Sequence, residues 1–87
     1  DASPCLARAQ QAIRRPGGMC VFSAANEIAV AAFLAGTVRF TDIDRVIEST
    51  LADVNLSEPQ SLDAVQALDQ VARDVASSRV AALSSGL

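Results

Sequence analysis

The sequence predicts an all-α protein, folded as a compact array of about four helices. Four segments carry apolar residues at helical spacing, and short breaks rich in Pro, Gly, Ser and Asn separate them. Alanine supplies much of the 51% apolar fraction and aromatic residues only 3%, so the helices must be thin and closely packed. A chain of 87 residues makes one domain at most, and it buries only about 60% of the surface that its unfolded form exposes.

The first predicted helix begins after Ser3-Pro4, where an N-cap residue precedes proline at the first helical position. Its predicted buried face comprises Leu6, Ala9 and Ile13. Pro16-Gly17-Gly18 is expected to end this helix. Residues 19–22 are interpreted as an extended lead into the next element.

The second helix is predicted to begin at Ser23 and to be the central element, because apolar residues lie nearly all around it. Gly36, directly after Ala35, is well placed to cap its C terminus. The only bulky rings expected in the core are Phe22, Phe33 and Phe40.

The third helix has the clearest helical pattern. Thr41 can cap it and Asp44, three residues later, can complete a capping box, while Asp42 favours the positive end of the helix dipole. Its predicted buried stripe comprises Ile43, Val46, Ile47, Thr50, Leu51 and Val54. Its predicted outer face carries Arg45, Glu48 and Asp53.

The fourth helix is predicted to run from Leu62 to about Leu83, capped by Ser61 after a loop over residues 55–60. Its apolar positions are Leu62, Val65, Leu68, Ala72, Val75, Ala76, Val80 and Leu83. Asp69 and Arg73, four residues apart, are expected to pair on its surface. Residues 84–87 are expected to fray.

Composition argues against several classes of protein. All basic residues are arginines and the net charge is −3, which does not favour nucleic-acid binding. The longest apolar stretch, residues 28–34, is far shorter than the ~20 residues that span a bilayer, and no signal-peptide pattern opens the chain. We therefore expect a soluble cytoplasmic protein. The chain begins at Asp1 in the middle of a sequence pattern, which suggests a fragment of a longer protein. Cys5 and Cys20 are too few for a zinc site and are interpreted as reduced small apolar residues at helix edges.

Few residues are suited to catalysis. The absence of His and Lys removes the usual general bases near neutral pH and the usual phosphate-pairing amine. Most acidic residues need no catalytic role to explain them, because they lie on solvent-exposed helix faces or complement the positive end of a helix dipole. Asn26 and Glu27 stand apart, because they fall in the predicted first turn of a buried helix, where polar side chains need partners. We interpret them as structural: Asn26 would hold the backbone of the entry loop, and Glu27 would complete the helix start or pair with an arginine. The alternative interpretation is that the two side chains line a pocket.

Two segments together resemble a known family. Residues 23–36, SAANEIAVAAFLAG, and residues 38–43, VRFTDI, resemble the C-terminal domain of 1-deoxy-D-xylulose 5-phosphate reductoisomerases. Pro4-Cys5-Leu6 and Gly17-Gly18 resemble the helix that comes before them in that family. The family usually has Asn-Ala-Ala-Asn-Glu where this chain has Ser23 in the first position, and serine can still cap a helix. The candidate structural motif is therefore Ser23, Asn26 and Glu27.

The resemblance implies a homodimeric enzyme with three parts. An N-terminal domain would bind NADPH, a catalytic domain would hold Mg²⁺ or Mn²⁺ and the sugar phosphate, and residues 1–87 would be the C-terminal helical domain. The whole enzyme would convert 1-deoxy-D-xylulose 5-phosphate to 2-C-methyl-D-erythritol 4-phosphate in non-mevalonate isoprenoid biosynthesis. Because no catalytic, cofactor or metal motif of the family matches this chain, it is expected to be inactive alone and to support the catalytic domain.

A free-standing helical module that binds a partner helix in a groove is the alternative. A domain of a larger enzyme should expose a contiguous apolar patch, whereas such a module should show a groove with a polar rim. A small acid/base enzyme is disfavoured by the scarcity of catalytic side chains.

Overall fold

The computed structural model describes residues 4–85, and the side chains of residues 6–85. This part of the chain forms four helices and no strand: α1 (Pro4–Ile13), α2 (Gly18–Leu34), α3 (Asp42–Asp53) and α4 (Leu62–Ser84). The predicted all-α array is confirmed. The prediction that the second helix is central is also confirmed, because α2 packs against α1, α3 and α4. The predicted N-cap at Ser3 and the fraying of residues 86 and 87 lie outside the described residues.

The connection between α1 and α2 is shorter than predicted. α2 begins at Gly18 and includes residues 19–22, so the prediction of an extended lead over these residues, with the helix starting at Ser23, is wrong. Gly17 has a φ of 73°, a left-handed conformation that glycine adopts readily, and it turns the chain directly into the helix. Val21 is thereby fully buried, and this tertiary contact outweighs the weak strand preference of the segment.

The side of α1 that faces the core also differs from the prediction. Ala12 is fully buried, whereas Leu6 is 50% and Ile13 66% exposed, so the predicted buried face is wrong. The reason is a close approach of two backbones, since a Cβ atom placed on Gly18 would collide with the carbonyl group of Ala12. This contact turns the Ala12 side of α1 inward.

The core consists mainly of small side chains. Its fully buried members are Ala12, Val21, Ala24, Ala25, Ala29, Val46, Ile47, Ala72 and Ala76. The expectation that three aromatic rings fill the core is wrong: Phe22 is only partly buried, Phe33 is 36% exposed and Phe40 is 69% exposed. The rings of Phe33 and Phe40 instead pack edge to face near the surface, with centroids 5.6 Å apart. Helices that meet through alanine approach closely and leave little room for rings.

The buried stripe of α3 is confirmed, since all six predicted positions are buried. Its predicted capping box is wrong. Thr41 has helical dihedral angles and makes no capping hydrogen bond. The chain already turns at Arg39, so the acidic residue three positions later is Asp42, whose Oδ2 accepts the Arg39 backbone N–H at 2.9 Å.

Several predicted boundaries are confirmed. Gly36 has a φ of 79° after the C-cap Ala35, and the N–H groups of Gly36 and Thr37 donate to carbonyls in the last turn of α2. At the start of α4, the Oγ of Ser61 accepts the Ala64 N–H at 3.0 Å. Within residues 4–85, no helix is long and apolar enough to cross a membrane.

Candidate functional site

The candidate motif lies inside α2. Ser23, Asn26 and Glu27 are interior positions of a helix that begins at Gly18, so they do not hold the backbone of an entry loop. Ser23 is exposed and Asn26 is half-buried, and the side chain of Asn26 makes no hydrogen bond with any residue in the described part of the chain. Their predicted position at a helix start depended on the misplaced start of α2.

Glu27 joins α2 to α4 through Arg73. Glu27 Oε1 lies 3.0 Å from Arg73 Nη2, and Asp69 Oδ2 accepts from Arg73 Nε at 2.8 Å. The hydrogen bond to Asp69, followed by that to Glu27, raises the pKa of Arg73 above its ordinary value. Two predictions are thereby confirmed: Asp69 pairs with Arg73, and Glu27 pairs with an arginine.

Other carboxylates also join helices. Arg8 of α1 pairs with Asp44 and Glu48 of α3 at 3.3 and 2.8 Å. Arg79 of α4 pairs with Asp53 of α3 at 2.7 Å. The Arg79–Asp53 pair lies at the surface, where an ion pair contributes little to stability, whereas the side chains of Arg8 and Asp44 are only 26% and 20% exposed. Each pair fixes the relative orientation of two helices.

Asp42 is the buried acidic residue at the start of α3. Its carboxylate accepts from the backbone N–H of Arg39 and lies 3.4 Å from the guanidinium of the same residue. The backbone hydrogen bond, more than any other cause, holds the pKa of Asp42 below its ordinary value. Asp42 therefore stays ionised as a structural group near neutral pH.

The described residues do not fit a divalent metal. Among residues 4–85, no group of three or more His, Cys, Asp or Glu side chains is placed to hold a metal ion. Two pairs of carboxylates each share an arginine: Asp44 and Glu48 bind Arg8, and Glu27 and Asp69 bind Arg73. A Mg²⁺ or Mn²⁺ ion, which prefers several oxygen ligands around one point, finds no such set here.

The Gly17-Gly18 turn does not fit a pyrophosphate. A glycine-rich phosphate loop follows a strand and leaves room for the ligand beside its backbone. Here the turn follows α1, and a Cβ atom on Gly17 would collide with the carbonyl oxygen of Ser57. The Gly17 N–H also donates to Glu58 Oε1 at 3.3 Å. These glycines allow close packing between segments of the domain.

Cys20 is a free thiol beside α4. Its Sγ lies 3.9 Å from the carbonyl oxygen of Val65. Burial, and secondly the charge of Asp69, raise the pKa of this thiol. Because the thiolate is the reactive form, Cys20 is a poor nucleophile at neutral pH. The side chain of Cys5 lies outside the described residues.

Besides these ion pairs, the glycine turn and Cys20, one further surface feature is a side of α2 that the other helices leave uncovered. We define the α2 stripe as Met19, Phe22, Ser23, Asn26, Val30 and Phe33. At 100° per residue these positions fall within an arc of about 100°, and all are exposed or half-buried. None is charged. Sequence reasoning missed this surface because it interpreted an apolar α2 as buried all round.

The fold and these features define the class of protein: a small all-α domain with interhelical ion pairs and a partly exposed helix face that carries little charge. Comparisons with known proteins identify the family. A family profile described as the DXP reductoisomerase C-terminal domain matches residues 1–75. The chain belongs to this family, so the resemblance found in the sequence is confirmed.

Curated relatives agree with this assignment. The 1-deoxy-D-xylulose 5-phosphate reductoisomerase of Acidithiobacillus ferrooxidans is 46% identical over 85 residues, which are 97% of this chain and 22% of the relative. That of Cupriavidus necator is 43% identical, over 94% of this chain and 21% of the relative. That of Cellvibrio japonicus is 49% identical, over 84% of this chain and 19% of the relative. The chain thus spans about a fifth of the length of the relatives it matches.

Proposed function

We propose that this chain is the C-terminal helical domain of a three-domain reductoisomerase that converts 1-deoxy-D-xylulose 5-phosphate to 2-C-methyl-D-erythritol 4-phosphate. One observation carries the proposal: a family match over residues 1–75, in a chain that spans about a fifth of relatives bearing that enzyme's name. The full-length protein would act in the cytoplasm, in the non-mevalonate route to isoprenoids, as a homodimer.

In this proposal the domain itself is inactive. NADPH supplies a hydride and Mg²⁺ or Mn²⁺ polarises the substrate's oxygens, and both would be held by the other domains. The arrangement of this domain supports that division, since six carboxylates of the described residues pair with arginines and its adjacent glycines pack against backbone. No step of the reaction is assigned to a residue of this chain.

The proposed role of the domain is mechanical support of the catalytic domain. An interior filled by alanine brings the helices close together, and the ion pairs of Arg8, Arg73 and Arg79 hold α1 to α3, α2 to α4 and α3 to α4. A closely packed domain keeps a constant shape. Such a shape can hold a neighbouring active site in the geometry that catalysis needs.

The proposal is tested with two proteins. The full-length protein should oxidise NADPH only when both the sugar phosphate and Mg²⁺ or Mn²⁺ are present. The isolated 87-residue chain, titrated calorimetrically with NADPH and with Mn²⁺ plus the sugar phosphate, should show no saturable binding at micromolar concentrations, which correspond to about −8 kcal/mol. Binding by the isolated chain, or a full-length protein without this activity, would refute the proposal.

A further inference from the structure

α2 carries very little charge for a helix with an exposed side. Among its 17 residues, Glu27 is the only charged one, and its carboxylate is already paired with Arg73. Helices at a protein surface normally place charged and polar residues on the side that faces water. The α2 stripe, in which two small polar side chains, Ser23 and Asn26, stand among apolar ones, forms one flank of the outward side of α2. The rest of the outward side carries the exposed residues Glu27, Ala31 and Leu34.

Apolar side chains also lie beyond both ends of the stripe. Met19 is 41% exposed and lines one cleft with Ile13 of α1, although Arg15 and Glu58 line the same cleft. At the other end, the ring of Phe40 packs against that of Phe33 and is itself mostly exposed. Exposed apolar side chains grouped in this way mark a contact site in soluble proteins.

The size and chemistry of this surface indicate its occupant. A stable interface between separate chains uses about 20–30 residues a side, many more than the α2 stripe provides. Docking within one polypeptide needs less, because a linker holds the partner at an effective concentration of order mM. The chain spans only about a fifth of its relatives, so a large remainder of the same polypeptide can supply that partner.

We infer that the α2 stripe is the face that docks on the catalytic domain of the same polypeptide. This inference rests on the proposed function and adds the surface that performs it. The face that receives the stripe is apolar and uncharged, with one amide or backbone group opposite Asn26. That group satisfies a half-buried side chain which makes no hydrogen bond within the described residues. The Glu27–Arg73 pair lies at the edge of the contact.

Met19, the single methionine of this sequence, is a built-in probe of the stripe. In the full-length protein, peroxide oxidation of Met19, followed by peptide mass spectrometry, should be at least about tenfold slower in the native than in the denatured state, equivalent to ~1.4 kcal/mol. The protection should not change on dilution. Equal rates in both states would overturn the inference, and protection lost on dilution would assign the stripe to a second copy and overturn it too.

Two matched substitutions locate the contact. Ser23→Glu places a charge in the stripe, and Ser77→Glu places the same charge at an exposed position of α4. Ser23→Glu should raise the rate of Met19 oxidation in the native protein about tenfold or more, because an unpaired charge is costly to bury. Ser77→Glu should leave that rate unchanged. Equal effects of both variants would overturn the inference. If Ser23→Glu fails to fold, the oxidation of the unsubstituted protein decides alone.

NADPH turnover by the same preparation separates the inference from the proposed function. Met19 protection without turnover would leave docking standing and refute the proposed reaction. Turnover without protection would leave the reaction standing and refute this docking face.

Discussion

Glu27, in the interior of α2, accepts a hydrogen bond from Arg73 of α4, with 3.0 Å between Oε1 and Nη2. These residues are 46 positions apart in the sequence, and the pair ties the central helix to the longest one. Because Arg73 also binds Asp69, its guanidinium is already oriented when Glu27 contacts it. Less side-chain entropy is therefore lost in forming the interhelical contact.

The first prediction concerns this pair. Glu27→Gln should lower the Tm of the 87-residue chain by no more than about 5 °C at low ionic strength, because a surface pair contributes little. At about 1 M salt the difference should nearly vanish, since screening acts over only ~3 Å there. The check is thermal unfolding of the wild type, both single variants and the double Glu27→Gln/Arg73→Gln variant. Additive effects of the two substitutions would show that the pair is not coupled.

Asn26→Ala should change stability in opposite directions in two settings. In the 87-residue chain it should stabilise by about 0.5 kcal/mol, because alanine is the better helix former and no hydrogen bond is lost. In the full-length protein it should destabilise, because the proposed contact opposite Asn26 loses its partner. Ser77→Ala, at an exposed position of α4, is the control and should stabilise both proteins slightly. If Asn26→Ala stabilised both the 87-residue chain and the full-length protein, the proposed polar contact opposite Asn26 would be contradicted.

Two glycines with positive φ should respond differently to alanine. Gly36→Ala should cost about 1–2 kcal/mol, the strain of a left-handed backbone alone, because nothing lies within 4 Å of the new Cβ. Gly17→Ala should cost about 2 kcal/mol more, because its Cβ would also collide with the carbonyl oxygen of Ser57. Urea unfolding of both variants gives the comparison. Equal losses would mean that the loop around Ser57 moves aside freely.

Buried and exposed side chains of similar size should differ in the stability they provide. Ile47→Ala should cost about 2–5 kcal/mol, because Ile47 is fully buried and the vacated space cannot close completely. Phe33→Ala should cost only about 1 kcal/mol in the 87-residue chain, because its ring is partly exposed and packs edge to face on the mostly exposed Phe40. Both values come from urea unfolding. A larger loss for Phe33→Ala would place that ring in the core after all.

The last prediction concerns pH. The pKa of Asp42 is lower in the folded chain than in the unfolded one, so its stabilising contribution is fully present above the ordinary Asp pKa. That contribution is lost as the pH falls from about 4 through the lower folded pKa. Asp42→Asn should therefore lower the Tm by about 5 °C at pH 7, and the difference should shrink below about pH 4. The control, Asp74→Asn, alters an exposed carboxylate and should change the Tm little. A constant difference across the pH range would mean that the charge of Asp42 does not matter.

The correct sequence predictions depended on local patterns. Ser61 before α4 and Gly36 after α2 are capping signals that act within one turn, and the structure confirms both. The α3 stripe was recognisable because its periodicity extends over nearly the whole helix. The family was recognisable from residues 23–36 because that run is distinctive as a linear string.

The wrong predictions concerned which face of a helix is covered. In α1 the sequence offers two faces, one with Leu6 and Ile13 and one with Ala12, and hydrophobicity favours the first. The contact between Gly18 and the Ala12 carbonyl selects the second, because only there can the two backbones meet. The start of α2 was misplaced for a related reason, since the left-handed Gly17 packs closely against Ser57 and turns the chain directly into the helix.

By itself, the sequence determined the helical class, most helix ends and the family, because periodicity, capping and a distinctive motif act along the chain. Only the tertiary structure decided that alanines fill the core and that Phe33 and Phe40 lie near the surface. It likewise placed Ser23 and Asn26 on an exposed helix face. The physical reason is that burial depends on which backbones approach closely, and that depends on pairs of residues distant in the sequence, such as Glu27 and Arg73.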